Sequence, residues 1–299
     1  MVVVRQRASV RTPLVPDVLR REAFRGSEAV RSGLLTPNRL RGRAWRRLYP
    51  DVYLHRDVPV THLRRAQAAA LVVPDAVVTG RSAAVLWGVD LATGEDDVEL
   101  TVPRGRHQRR VPGLVVRRLD LPAEHLWRRL GLPVTTAAAT AVRLAGALPP
   151  DDAVVAVDRM VATGIVDLDE VRALAAAATG RDCARARAAC ARADGLAESP
   201  QETRLRLLLQ SSALPRPIAQ HRIVMNGAFV ARVDFAWPER RVAVEYDGLW
   251  HGAPEQFAKD RRRLNRLREA GWVVVFVTAR DLRRPEELLA RVARALSAR

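Results

Sequence analysis

The alternation of apolar and polar positions is clearest in the C-terminal third of the chain. Ser199-Pro200 has the form of a helix cap followed by proline in the first turn, and Asn226-Gly227 is a strong tight-turn signal. The predicted elements are a helix at 199–212, strands at 217–224, 229–235 and 241–246, a helix at 254–270, a strand at 272–277 and a helix at 285–297. We therefore predict an αβββαβ domain, followed by a last helix, over residues 196–299.

The first part of the chain shows short helical patterns that lead into a hairpin. A helical pattern covers about 18–31, and Thr36 caps a short helix that is predicted at about 37–41. Alternating apolar positions at 45–54, interrupted by a proline and an aspartate, predict a β-hairpin. Helix, turn, helix and hairpin is the order of a winged helix. We predict that residues 1–57 form a basic arm and a winged-helix DNA-binding module.

The middle of the chain, 58–195, is predicted to be a mostly helical α+β linking domain. Asp194-Gly195 ends its alanine-rich part and is the predicted boundary with the last domain. The predicted elements are helices at 60–73 and 80–87, strands at 98–102 and 114–119, and helices at 136–147, 151–163, 167–178 and 181–193. The whole chain is therefore predicted to be an α/β protein of mixed α+β type.

Positive charge is concentrated at the two ends of the chain. The 299 residues have a formal net charge of +17, and Lys259 is the only lysine. Residues 1–56 have 13 arginines against four acids, which gives +9, and residues 198–299 have 19 basic residues against 12 acids, which gives +7. Such a distribution predicts a polyanionic partner, for which nucleic acid is the default. The predicted partner is DNA.

Composition also excludes several classes of protein. Hydrophobic residues make up 48% of the chain, which is enough to build a core, and no apolar run approaches the ~20 residues that span a membrane. The apolar start is too short for a signal peptide, so a cytoplasmic location is expected. Cys183 and Cys190 lie two helical turns apart, roughly 10 Å, which predicts two small buried residues rather than a disulfide or a zinc site.

Carboxylates stand where two predicted strands should be apolar. Asp234 interrupts one strand, and Glu245 and Asp247 end the next strand on one face. Acids that converge raise one another's pKa unless a cation compensates, and oxygen ligands of this kind suit Mg²⁺ or Mn²⁺. His251 follows as a candidate general acid or base. The alternative is that each of these residues, like Glu202 on its amphipathic helix, simply faces solvent.

Five motifs that occur in order over about residues 198–296 resemble the very-short-patch-repair-like (Vsr-like) endonucleases of the PD-(D/E)XK superfamily. The motifs are Ser199-Pro200-Gln201-Glu202, Val233-Asp234-Phe235-Ala236-Trp237-Pro238, Val244-Glu245-Tyr246-Asp247-Gly248-Leu249-Trp250-His251, Asp260-Arg261-Arg262-Arg263 and Gly271-Trp272-Val273-Val274. The resemblance implies a restriction-endonuclease-like fold and a metal-dependent nuclease. It implies that Asp234 and Glu245 bind the metal ion, and that Glu202 completes the acidic site.

Some positions depart from the superfamily or leave their roles open. Asp247 stands where the superfamily often has lysine, so the identity of the general base is left between His251 and Glu202. Glu198 competes with Glu202 as the helix acid, although Glu202 has the better register. The resemblance gives Asp260 and Arg263 a structural or phosphate-contacting role, and the alternative is an ordinary surface pair.

The N-terminal region resembles the winged-helix start of the abortive-infection type IV antitoxins. The resemblance rests on segments at 24–30, 33–36 and 45–53, with further matches at 79–84 and 131–135. It implies an element that docks on DNA. The side chains expected to face phosphates are Arg39, Arg41, Arg43, Arg46 and Arg47. The alternative is a basic helix with no dedicated role.

These observations predict a metal-dependent endonuclease that hydrolyses phosphodiester bonds of DNA in repair or defence. A monomer would nick DNA, whereas a double-strand break would require two active sites and therefore a homodimer; the oligomeric state is left open. The alternative is a non-catalytic, antitoxin-like DNA-binding regulator with a degenerate nuclease domain. A third hypothesis is cleavage of RNA or structure-specific repair.

Overall fold

The computed structural model describes residues 15–106, 110–248 and 254–298, with the backbone alone for 254–260. The chain divides into two compact units, Met1–Thr136 and Ala137–Arg299. Each unit contains helices and sheet, so the predicted mixed α/β fold class is confirmed. In the part of the chain that the structure describes, no helix is long and apolar enough to cross a membrane.

The first unit begins with a small three-stranded sheet of order β1-β3-β2. Its elements are β1 (Phe24–Arg25), α1 (Gly26–Arg31), α2 (Pro37–Leu40), β2 (Trp45–Tyr49) and β3 (Val52–His55). Thr36 caps α2 by accepting a hydrogen bond from the Arg39 N–H at 3.3 Å, as predicted. The predicted helix at 18–31 is shorter than expected. A 3₁₀ turn and strand β1 replace its first half, because Phe24 pairs with Tyr53 and packs edge-on against Trp45.

The rest of the first unit is a five-stranded mixed sheet of order β6-β5-β4-β8-β7 with two helices. Its elements are α3 (His62–Val72), β4 (Val77–Val78), α4 (Gly80–Leu86), β5 (Val98–Val102), β6 (Leu114–Arg118), β7 (Leu126–Arg129) and β8 (Leu132–Thr135). Strands β4, β7 and β8 were not predicted. Strand β4 has two residues, and its parallel partner is more than fifty residues away, where Val78 pairs with Val134. This region is therefore less helical than the sequence indicates.

The second unit begins with four helices that agree closely with the predicted ones. They are α5 (Ala137–Ala147), α6 (Pro150–Ala162), α7 (Leu168–Ala177) and α8 (Cys183–Arg192). Both cysteines are free thiols, as expected; Cys190 is buried, whereas Cys183 is only half-buried. Burial raises the pKa of the Cys190 thiol to about 11, which keeps it protonated and unreactive at neutral pH.

The remaining elements form a sheet of order β12-β11-β10-β9 with helices on both faces. They are α9 (Pro200–Ser211), β9 (Ile218–Met225), β10 (Ala228–Trp237), β11 (Val242–Tyr246), α10 (Pro254–Glu269), β12 (Val273–Val277), α11 (Ala279–Leu282) and α12 (Pro285–Ser297). Strands β11 and β12 are parallel, and the other pairs are antiparallel. The order is the predicted one with α11 added, a single turn that a Thr278–Asp281 capping box begins.

The predicted domain boundaries at 57 and 195 both fall inside these compact units. A buried network around Asp158 of α6 explains why the alanine-rich helices join the last sheet. The Asp158 carboxylate accepts hydrogen bonds from Thr203 Oγ1 and from an Arg206 guanidinium nitrogen, both at 2.8 Å and both on α9. It also accepts the N–H groups of Asp194 and Gly195 at 3.0 and 2.9 Å. The turn at 194–195 is therefore hydrogen-bonded to α6, and through Asp158 to α9.

Candidate functional site

Two of the predicted acids lie side by side on neighbouring strands. Phe235 of β10 pairs with Val244 of β11 in antiparallel register, which places Asp234 and Glu245 at the next step along the same two strands. Opposed residues in an antiparallel pair project from the same face of the sheet. The Tyr246 N–H donates to Asp234 Oδ2 at 2.7 Å, and Glu245 is 7% exposed. The strand register therefore builds the pair of carboxylates.

Glu202 joins this pair from the first turn of α9. Its Oε2 accepts the Glu198 N–H at 2.8 Å and lies 3.4 Å from Gln220 Nε2 on β9. Glu198, the competing candidate, directs its own carboxylate to an exposed ion pair with Arg232 instead. The structure thus brings the predicted Glu202 to the site. No pattern in the sequence singles out Gln220. In the structure its φ is 50°, a value that is rare inside a strand for a residue other than glycine.

The other two acids act on Asp234 through space. Burial and, to a lesser extent, the charges of Glu202 and Glu245 together raise the pKa of Asp234 to about 7, although the Tyr246 hydrogen bond and the Arg263 charge lower it. A carboxyl group with such a pKa is close to half protonated at neutral pH. Acids that share a poorly solvated place favour a bound cation, because a cation removes their mutual repulsion.

Arg263 of α10 supplies a positive charge to this place. Its two terminal nitrogens donate to the two carboxylate oxygens of Glu245, one of them at 2.7 Å to Oε2, and one also donates to the Arg232 carbonyl at 2.8 Å. In this structure the guanidinium of Arg263 holds a carboxylate of the site, and its structural or phosphate-contacting role stays a prediction. The side chain of Asp260, its predicted partner, lies outside the described residues.

Two predicted catalytic residues remain, and the structure describes one of them, Asp247. Asp247 is exposed beyond the end of β11, where its N–H donates to the Val277 carbonyl at 2.7 Å. His251 lies outside the described residues. The acids that the structure brings together are therefore Glu202, Asp234 and Glu245, and Glu202 is the one candidate general base among them.

The donor set fits a hard divalent cation in its chemistry, because it consists of carboxylate oxygens in a place where a cation would relieve repulsion. Among the side chains that the structure describes, at 15–106, 110–248 and 261–298, no group of three acid, histidine or cysteine side chains is arranged to hold a metal ion. The Glu245–Arg263 pair gives a physical reason, since Arg263 occupies both carboxylate oxygens of a predicted ligand.

The five arginines predicted to face DNA form one exposed segment of the first unit. Arg39 is on α2, Arg41 and Arg43 follow it, and Arg46 and Arg47 are on β2. The Arg47 Nε donates to the Tyr49 carbonyl at 3.3 Å. None of the five forms an ion pair with an acid among the described residues. The exposure of all five side chains is what a phosphate-binding surface requires, and their contact with DNA stays a prediction.

Comparison with known proteins identifies relatives of this chain. No family model matches. The uncharacterised proteins MT2308 and Rv2248, from two strains of Mycobacterium tuberculosis, are each 35% identical over 219 residues, which cover 72% of this chain and 79% of theirs. The crystal structure of the Rv2827c protein from the same organism covers 69% of this chain and 84% of its own, at 11% identity and a TM-score of 0.39. The chain belongs to the protein family of MT2308 and Rv2248.

Proposed function

We propose that this protein is a metal-dependent DNA endonuclease, which hydrolyses phosphodiester bonds and acts in the cytoplasm. The observation that carries the proposal is the convergence of Glu202, Asp234 and Glu245, in which the other two acids help to raise the pKa of Asp234 to about 7. A buried convergence of this kind is costly to fold and is therefore more typical of functional sites than of ordinary surfaces.

The site residues would divide the work as follows. Asp234 and Glu245 would hold Mg²⁺ or Mn²⁺, and the ion when bound would activate water and stabilise charge on the phosphate. Asp234 must release its proton to act as a ligand, which a raised pKa makes dependent on pH near neutrality. Glu202 would accept a proton or orient the attacking water, a role for which His251 is the other candidate.

DNA cleavage is the direct test of this proposal. The full-length protein is incubated with supercoiled plasmid in Mg²⁺ or Mn²⁺, with an EDTA sample as the control. We expect nicked plasmid if one active site acts alone and linear plasmid if a homodimer brings two sites together. If the protein shifts the plasmid DNA in a gel but leaves it uncut with either ion, the result would count against the proposed endonuclease.

The exposed arginines should control affinity for DNA without regard to sequence. Arg46→Gln with Arg47→Gln is expected to weaken duplex binding and to lower the slope of log affinity against log salt by about one for each phosphate that the protein no longer neutralises. Arg104→Gln is the matched control, because Arg104 is exposed in the same unit but faces Asp120 at 3.8 Å. Fluorescence anisotropy over a salt series measures both quantities. An unchanged slope in the double variant would remove these arginines from the DNA interface.

The second candidate is a non-catalytic DNA-binding regulator. The Glu245–Arg263 pair favours it, because a degenerate nuclease site could use this ion pair in place of a metal ion. Thermal unfolding separates the two functions. A working acid site gains stability from Mg²⁺ or Mn²⁺ that increases with the logarithm of the ion concentration above the dissociation constant, whereas a regulator with a closed site gains none.

A further inference from the structure

Arg263 is placed so that it acts directly on a predicted metal ligand. Its guanidinium makes two parallel hydrogen bonds to Glu245, and its side chain is 32% exposed while that of Glu245 is 10% exposed. A third bond, to the Arg232 carbonyl at 2.8 Å, anchors the same group to strand β10. Arginine remains charged at every relevant pH, so Glu245 is paired with a permanent cation.

This arrangement sets a condition on metal binding. Arg263 donates to both oxygens of Glu245, so a cation that binds Glu245 through the same lone pairs competes with these bonds, and the guanidinium charge repels it. The bonds are charge-assisted and bidentate, which is the strongest class of side-chain hydrogen bond. The bond to the Arg232 carbonyl involves a different acceptor and need not break when the Glu245 bonds do.

We propose that Arg263 is an internal competitor of the metal ion for Glu245, and that the displaced guanidinium becomes available to a DNA phosphate. This inference rests on the proposed function. It makes the metal-free acid site a closed state, held by a cation that the protein itself provides. It also makes DNA and metal bind with positive cooperativity, because a phosphate that draws Arg263 away leaves Glu245 open to the ion.

Direct metal binding without DNA tests the competition. Mn²⁺ is titrated calorimetrically into the full-length wild type and into the variants Arg263→Gln, Arg263→Lys and Arg266→Gln. Because Arg263→Gln removes the competitor, this variant should bind Mn²⁺ about tenfold more tightly than the wild type, or more. A change of about tenfold in affinity corresponds to the loss of one charge-assisted pair. Lysine keeps the charge but lacks the two-pronged fork, so Arg263→Lys should fall between the wild type and Arg263→Gln.

Arg266→Gln is the matched control, since it removes the same charge from an exposed position one turn along α10 and should leave Mn²⁺ affinity unchanged. Equal or weaker binding by Arg263→Gln, with measurable binding by the wild type, would overturn the competition and make Arg263 a residue that positions Glu245. An absence of Mn²⁺ binding in every protein would overturn the metal-dependent function itself. Circular dichroism checks folding, and Arg263→Lys carries the test if Arg263→Gln does not fold.

Discussion

Asp234→Asn should lose metal-dependent cleavage by on the order of a thousandfold or more, because a neutral amide cannot replace a carboxylate ligand that contributes several kcal/mol to the stabilisation of charge. The amide oxygen can still accept the Tyr246 N–H, which Asp234 Oδ2 now does at 2.7 Å. The strand pair should therefore remain intact, and DNA affinity should stay near the wild-type value. Plasmid cleavage and fluorescence anisotropy measure the two properties separately.

The same variant should be more stable than the wild type in the absence of metal at pH 8. Burial, with the charges of Glu202 and Glu245, raises the pKa of Asp234 to about 7, so the folded protein retains a proton that the unfolded chain has lost. This difference in protonation lowers the free energy of unfolding progressively as pH rises from about 4 to about 7. The full decrease is present above that range. Removal of the charge should raise the free energy of unfolding at pH 8 by about 1–3 kcal/mol, after allowance for partial exposure.

Unfolding in urea at pH 5 and pH 8 with EDTA distinguishes this effect from a general change in packing. The gain in Asp234→Asn should be small at pH 5 and larger at pH 8. Cleavage that equals the wild type would remove Asp234 from the site. A stability gain of the same size at both pH values would show that the carboxylate charge is not its cause.

Asp158→Ala should strongly destabilise the second unit, with a decrease in the free energy of unfolding of about 3–5 kcal/mol. Asp158 is fully buried and accepts four hydrogen bonds, from Thr203, Arg206, Asp194 and Gly195. Its removal leaves Arg206, which is 3% exposed, with one acid fewer, and leaves two part-buried N–H groups without their acceptor. A buried group that loses its partner bears its full desolvation cost.

Asp152→Ala is the matched control, since Asp152 lies on the same helix and pairs with Arg204 at the surface at 2.8 Å. It should cost less than about 1 kcal/mol, as exposed ion pairs do. Urea denaturation measures the free energy of unfolding of both variants, which are compared at a constant slope of free energy against urea concentration. A decrease below about 1 kcal/mol in Asp158→Ala would show that the network does not hold α6 to α9. Because α9 also carries Glu202, experiments on the acid site require the complete chain rather than a fragment from 196 onward.

The sequence determined the elements whose signals are local. The helices and strands from residue 137 onward agree with the predicted ones to within about three residues, because amphipathic periodicity, the Ser199 cap and the Asn226-Gly227 turn act over a few neighbours. The strands that escaped prediction lack such signals. Strand β4 is too short for a period, and it exists because Val78 finds Val134 across the fold.

The sequence also predicted part of the acid site. Carboxylates inside apolar strands singled out Asp234 and Glu245, since an acid in a buried strand requires a reason. Their roles as metal ligands, and those of Asp247 and His251 in catalysis, stay predictions.

Only the tertiary structure decided which charged groups meet. It brought Glu202, which its register already favoured over Glu198, to Asp234, and it directed Arg263 to Glu245, eighteen residues away in the chain. Spacing along a helix or strand fixes the face on which a side chain lies, but the choice among several arginines depends on how α10 packs against the sheet. It likewise joined the alanine-rich helices to the last sheet through Asp158, where the sequence predicted a boundary at 195. Contacts between distant parts of a chain are set by packing, and a local pattern cannot encode them.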